Sequence, residues 1–327
     1  MKCLINGTVE PVLFRPMNDV GALNRTCVLE RHRLLHGNTF LPMFDDADCH
    51  EDIFGPLFEN QDCQVTLNLH DIGQHRNITE VPSNFNLKYF IDNLEPFVLR
   101  HDSELTLKWT DEYFSNQSKI QKKIGHEVDL ELLTTNQSNY MNGQIPEILL
   151  KDVTIPSQLS YRKLLSFYRK TTLWYSADSD HSSSLHRDPG LFFVQQIYGQ
   201  KKISLIDPEY SLNLYSDFDE KYNLSPIEPG DIDIFMYPEI SNVVVKSTTL
   251  NEGDICFLPY MYWHHVKGVP GDSNTRRNVA LTYQFESPFQ CESFSEDAVR
   301  KCIWNWRNHS DIHLDKAISN VTLFDLS

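Results

Sequence analysis

The stretch Gly253-Asp254-Ile255-Cys256-Phe257-Leu258-Pro259-Tyr260-Met261-Tyr262-Trp263-His264-His265-Val266 decides how this chain is read. Gly253-Asp254 is a turn signal, and Ile255 to Leu258 is a short apolar run of strand character. Pro259 cannot donate to a ladder and ends the run. The chain then presents a histidine beside a tryptophan. Working outward, the partner segment is His186-Arg187-Asp188. On a strand, residues i and i+2 share a face, so His186 and Asp188 point the same way. His264 follows 78 residues after His186 and would meet the pair from a distant strand. Two imidazoles and one carboxylate are the donor set of a facial triad for non-haem Fe(II), with the opposite face left open for substrate and O2.

The triplet alone is weak evidence. Four His-x-Asp triplets occur, opened by His50, His186, His309 and His313. Only His186 precedes a strand pattern, Leu191 to Ile197, then the turn Tyr198-Gly199-Gln200 and a second strand opened by Lys201-Lys202. His265, next to His264, would face the other way on a strand, toward a supporting shell or the surface.

Short β-rich runs bounded by Gly, Pro, Asp or Ser dominate from residue 160 onward: Leu173-Trp174-Tyr175, Leu191 to Ile197, Ile203 to Ile206, Val243 to Val245, and Val279 to Phe285. In the last, Val279, Leu281, Tyr283 and Phe285 alternate onto one face. This pattern predicts a mainly β fold, a double-stranded β-helix or jelly roll with flanking helices. Asn86 to Leu94 reads as an amphipathic helix and Pro96 to Arg100 as a strand. Thr110-Asp111-Glu112 caps a short helix carrying Tyr113 and Phe114. Residues 116–145 are polar and read as loop. Ser295 caps a final helix whose stripe of Val299, Cys302, Ile303 and Trp306 serves either packing on the barrel or a homodimer contact. The expected organisation is an irregular extension over 1–84, the barrel domain over 85–290 and a helical tail over 291–327.

With 327 residues and 40% hydrophobic content the chain can bury a sizeable core. A formal charge of −16 argues against a nucleic-acid surface and suits a basic partner. No apolar run reaches the roughly 18–20 residues that span a bilayer.

Taken together these segments resemble the JmjC family of Fe(II)- and 2-oxoglutarate-dependent oxygenases, within the cupin superfamily. The likeness rests on Ser183 to Asp188, Gly199-Gln200-Lys201, Asp231 to Pro238, and Gly253 to Val266, in family order and spacing. Pro96 to Arg100 with Lys108-Trp109-Thr110 is similar to the family's leading segment, so the likeness covers roughly residues 85–287. It implies His186, Asp188 and His264 as iron ligands, with 2-oxoglutarate and O2 as cosubstrates. It implies Lys201, fifteen residues after His186, as the partner of the distal 2-oxoglutarate carboxylate, and Ser183 as a hydroxyl bonded to the same group. Many relatives carry an asparagine six residues after the first histidine; here Phe192 stands there, and Gln284 takes the place of another common asparagine. Tyr140 and Tyr161 are the candidates for an upstream tyrosine. The resemblance is closest to small hydroxylases acting on protein or peptide substrates. An N-methyl-lysine demethylase and a non-catalytic cupin interaction module are the alternatives.

Seven cysteines show no zinc spacing. Cys256 reads as a buried thiol. Cys3, Cys27, Cys49 and Cys63 toward one end and Cys291 and Cys302 toward the other leave disulfides open. Asn-x-Ser/Thr sequons stand at Asn6, Asn24, Asn77, Asn116, Asn136, Asn223, Asn308 and Asn320, against roughly two or three expected by chance. The excess points to the secretory pathway or endoplasmic-reticulum lumen. Met1 to Phe14 has no apolar signal core, so either a leader lies upstream or the sequons are idle in the cytoplasm or nucleus.

Overall fold

A computed structural model describes residues 2–5, 8–11, 66–100, 109, 111–118, 140–159, 161–176, 181–218, 223–234, 236–269, 277–287, 291, 293 and 295–316. Twelve strands form the two sheets of a jelly-roll core. In chain order they are β1 (Gln74–Asn77), β2 (Thr79–Val81), β3 (Phe97–Leu99), β4 (Tyr140–Gln144), β5 (Tyr168–Ser176) and β6 (His186–Arg187). There follow β7 (Gly190–Tyr198), β8 (Gln200–Ile206), β9 (Val244–Leu250), β10 (Ile255–Leu258), β11 (Trp263–Val269) and β12 (Asn278–Glu286). One sheet has the order β2-β3-β10-β7-β12-β5-β4 and the other β1-β9-β8-β11-β6. The longer helices among the described residues are α1 (Leu87–Asn93), α2 (Asp111–Ser118) and α3 (Glu296–Lys316).

Alternation along the strands separates two buried environments. In β7, Leu191 and Phe193 enter the main core with Phe97, Phe257 and Phe285, while Phe192 and Val194 face a pocket. The predicted apolar face of β12 enters the same core, and its other face, Ala280, Thr282 and Gln284, also lines the pocket. A smaller core of Leu185, Ile206, Leu214, Tyr215 and Trp263 closes the back of the second sheet.

Two turns set the register that the site depends on. Gly199 joins β7 to β8 at φ +74°, where an added Cβ would lie 2.7 Å from the Arg277 carbonyl. At the turn into β10, Asp254 is buried, and its carboxylate accepts from the Asn251 N–H at 2.9 Å and from Arg100 at 2.8 Å. Arg100 thus pins the end of the Pro96–Arg100 segment to the turn that starts the decisive stretch.

The stripe of α3 is covered by the chain itself: Val299, Cys302, Ile303 and Trp306 are buried, and the Trp306 indole donates to the Ile91 carbonyl of α1 at 2.9 Å. A disulfide joins Cys291 to Cys302, and Cys256 is a buried free thiol. Cys27, Cys49, Cys63 and the Thr110 cap lie outside the described residues.

Three segments differ from the expectation. The extension contributes β1 and β2 to the sheets, and Lys2–Ile5 pairs with Thr8–Pro11. β1 carries four exposed polar side chains and is held by parallel backbone pairing to β9, so no side-chain pattern announces it. Tyr140–Gln144, expected as loop, is an edge strand paired to β5.

Candidate metal centre

The three residues singled out in the sequence converge. His186 on β6 lies directly opposite His264 on β11 in an antiparallel pair, and their rings are 4.1 Å apart centre to centre. Asp188 Oδ2 lies 3.8 Å from His186 Nε2 and 3.7 Å from His264 Nε2. These separations are too long for hydrogen bonds. They are the spacing of donors arranged around a common ion.

The protein fixes which nitrogen is available. His186 Nδ1 donates to the Ser184 carbonyl at 2.9 Å, and His264 Nδ1 donates to the Tyr262 carbonyl at 3.0 Å. With Nδ1 committed to a carbonyl, Nε2 is the nitrogen of each ring that faces Asp188 and could bind a metal. Burial, and then the neighbouring His186, holds His264 down to about 4, so it is neutral at physiological pH. The His186 and Asp188 side chains are 27% and 40% exposed against 9% for His264, so the donor group opens to solvent on one side. Asp188 is tied in from its backbone: its carbonyl accepts from the Met261 N–H at 3.1 Å. Met261 adopts φ 62°, an uncommon conformation for a side chain of its size, where the chain reverses into β11.

Arg187, between His186 and Asp188, points away from them into the smaller core. It is fully buried, donates to Ser211 Oγ at 3.0 Å and lies over the Trp263 ring. The Trp263 indole donates to the same Ser211 Oγ at 2.8 Å. Residues flanking both histidines are therefore locked to one hydroxyl on the back of the sheet. His265 faces that side too; it is buried, not a surface residue, and its Nε2 lies 2.7 Å from Ser182 Oγ.

The donors open into a pocket of about 120 Å³ lined also by Tyr140, Trp174, His181, Lys201, Phe192 and Thr282. Lys201 is 8% exposed, and burial lowers its ammonium to about 8. Ser183 is in the wall, but its hydroxyl donates to the Ser184 carbonyl and accepts from the Val266 N–H, both at 3.0 Å. Phe192 and Gln284 pair across β7 and β12 and both reach the pocket, and the Gln284 amide donates to Thr172. Of the two candidate tyrosines, Tyr140 lines the pocket and Tyr161 packs instead against the main core. Trp174 and His181 were not singled out in the sequence. The alternation of β5 places Trp174 inward, but only strand pairing shows that this face is the pocket.

His309 and His313 fall on α3, where positions i and i+2 do not share a face; His50 lies outside the described residues. Among the described residues, His186, Asp188 and His264 are the group of three or more that could hold a metal ion.

The cupin-like domain family matches residues 59–291, well over half of the chain. The chain belongs to this JmjC-type cupin family. Within it, the chain is 28% identical over 127 residues to lysine-specific demethylase 8 of Danio rerio, covering 38% of this chain and 31% of that protein. It is 37% identical over 87 residues to JmjC domain-containing protein D of Dictyostelium discoideum, covering 26% and 19%. It is 31% identical over 86 residues to Jumonji C domain-containing protein 5 of Drosophila melanogaster, covering 26% and 21%. The chain thus spans about a fifth to a third of the length of these cupin relatives.

Proposed function

We propose that this cupin is an Fe(II)- and 2-oxoglutarate-dependent oxygenase that hydroxylates a side chain of a protein substrate. The observation that carries the reading is the convergence of His186 Nε2, His264 Nε2 and Asp188 Oδ2 in the lining of a pocket that also holds the buried Lys201, which meets no carboxylate among the described residues. The donor set fits iron: two imidazole nitrogens, each ring oriented through its Nδ1 by a backbone carbonyl, and one carboxylate, leaving one side open. Iron with 2-oxoglutarate and O2 supplies oxidative decarboxylation coupled to oxidation of a substrate C–H bond. His186, Asp188 and His264 would hold the metal, and Lys201 would neutralise the far carboxylate of the cosubstrate. Phe192, Val194, Leu258 and Ala280 add apolar side chains to the same lining, and a lower local dielectric would strengthen the Lys201 contact. The formal charge of −16 favours a basic substrate segment.

N-methyl-lysine demethylation is the second reading, favoured by the name of the Danio rerio relative. The same three ligands serve both, because demethylation is hydroxylation of a methyl group followed by loss of formaldehyde. Incubating iron-loaded protein and 2-oxoglutarate with unmodified and methylated basic peptides separates them. Retained gain of one oxygen atom supports hydroxylation; loss of a methyl group with formaldehyde release supports demethylation. Turnover of neither, with no succinate formed, supports a non-catalytic cupin.

We further propose that the chain works in an oxidising, glycosylating compartment. The Cys291–Cys302 bridge and the exposed sequon residues Asn77, Asn116 and Asn308 support this.

A further inference from the structure

His264 and Asp188 are both held by the turn that leads into β11. His264 Nδ1 donates to the Tyr262 carbonyl at 3.0 Å, and the Met261 N–H donates to the Asp188 carbonyl at 3.1 Å. Met261 stands at φ 62°, in the left-handed region that residues with a Cβ rarely adopt. Such a conformation persists where its surroundings fix it. The residues on either side of Met261 show what fixes it here.

Both neighbours are buried tyrosines, and both are anchored to α3, Tyr260 directly and Tyr262 through Asp207. The Tyr262 hydroxyl donates to Asp207 Oδ2 at 2.8 Å, and the Arg307 guanidinium of α3 donates to the same oxygen at 3.0 Å. The Tyr260 ring lies nearly parallel to that of Trp306, 6.1 Å between centres and 12° between planes. Its hydroxyl donates to Cys291 Sγ at 3.3 Å, and Cys291 is bonded to Cys302 of α3. Consecutive residues of one helix thus grip the two sides of the turn. Asp207 is itself fixed, because it caps the short helix Pro208–Leu214, with Oδ1 accepting from the Glu209 N–H at 3.0 Å. None of Tyr260, Tyr262, Asp207 and Arg307 lines the pocket, so their effect on the centre runs through the residues they hold.

We propose that Tyr262 and Asp207 are positioning residues of the metal centre, through which α3 sets where His264 stands. This role rests on the metal-centre reading above. Arg307 holds Asp207, Asp207 holds the Tyr262 ring, and the Tyr262 carbonyl turns the His264 ring so that Nε2 faces Asp188. Releasing the phenol frees the carbonyl to drift and takes the ligand with it, while the donor set itself stays whole.

The test is titration of Co(II) into the full chain, read by the visible absorption of the bound ion, for wild type, Tyr262→Phe and Asp207→Ser. Phenylalanine keeps the buried ring and removes the O–H. Serine keeps a helix cap and is too short to reach Tyr262. Each variant should bind Co(II) roughly tenfold more weakly, the scale of losing a group that orients a ligand, and the absorption bands should shift. Leu149→Ala, which opens a cavity in the main core, should lower the melting temperature and leave the affinity and bands as in wild type. Should Tyr262→Phe not fold, Asp207→Ser decides, since it leaves the buried ring in place. Wild-type affinity and bands in either folded variant would overturn the positioning role, as would the same losses in Leu149→Ala. Wild type that binds no Co(II) would overturn the metal-centre reading, and this role with it.

Discussion

His186 and His264 stand directly opposite each other on antiparallel strands, and each is oriented by the carbonyl two residues before it. Backbone carbonyls therefore set the orientation of both rings. Replacing His186, Asp188 or His264 singly with Ala should weaken Fe(II) binding by more than about a hundredfold, beyond what supporting contacts are worth. His309→Ala and His313→Ala should bind metal as wild type does. Anaerobic metal titration measures both, and loss of binding in His309→Ala would mean that another triplet is the ligand pair.

Lys201 gives the site a defined response to pH. Burial lowers its ammonium to about 8, so the free protein carries the charge below that pH and loses it above. Affinity for 2-oxoglutarate should be flat below about pH 8 and then fall about tenfold per pH unit. Lys201→Met should bind weakly with no break near pH 8, measured by titration across pH 6.5–9.5. A break that persists in the variant would assign the titration to another group.

Arg187 couples β6 to the start of α3. It is fully buried, its Nη1 lies 3.9 Å from Glu296, and burial lowers it to about 10 despite that carboxylate. Glu296→Gln should cost about 1–3 kcal/mol by weakening the compensation of a buried charge. Arg187→Met should cost a similar amount, and the double variant less than the sum. Denaturant unfolding of the four proteins measures the coupling; strict additivity would show that the two residues do not interact.

The compartment can be read from the protein made in its own cell type. Glycosidase treatment should remove mass at sites among Asn77, Asn116 and Asn308. Asn223 should stay bare, because Pro226 follows its sequon and the Ser225 hydroxyl is buried and donates to the Leu214 carbonyl at 2.8 Å. Alkylation without reduction should spare Cys291, Cys302 and the buried Cys256. Unglycosylated protein with Cys291 and Cys302 alkylated would place the chain in a reducing compartment.

Strands buried on one apolar face were legible, because period-two alternation is a direct image of burial; β7 and β12 are examples. The three converging donors were legible because a His-x-Asp at the start of such a strand sets both side chains on one face. β1 and β4 were not, since edge strands of polar residues are held by backbone pairing that no side chain records. Trp174 and His181 were hidden for a related reason: which face of β5 becomes the pocket wall depends on its pairing with β12 and β4. Ser183 is expected from the resemblance to bond the far carboxylate of the cosubstrate, and only the fold shows its hydroxyl donating to the Ser184 carbonyl.

The central claim is tested most directly by succinate formation from 2-oxoglutarate by the purified chain. The account requires succinate that depends on added Fe(II) and on O2, and that disappears in His186→Ala and His264→Ala. Succinate formed equally by those variants, or none formed by wild type with iron, 2-oxoglutarate, O2 and a basic peptide library present, would contradict it.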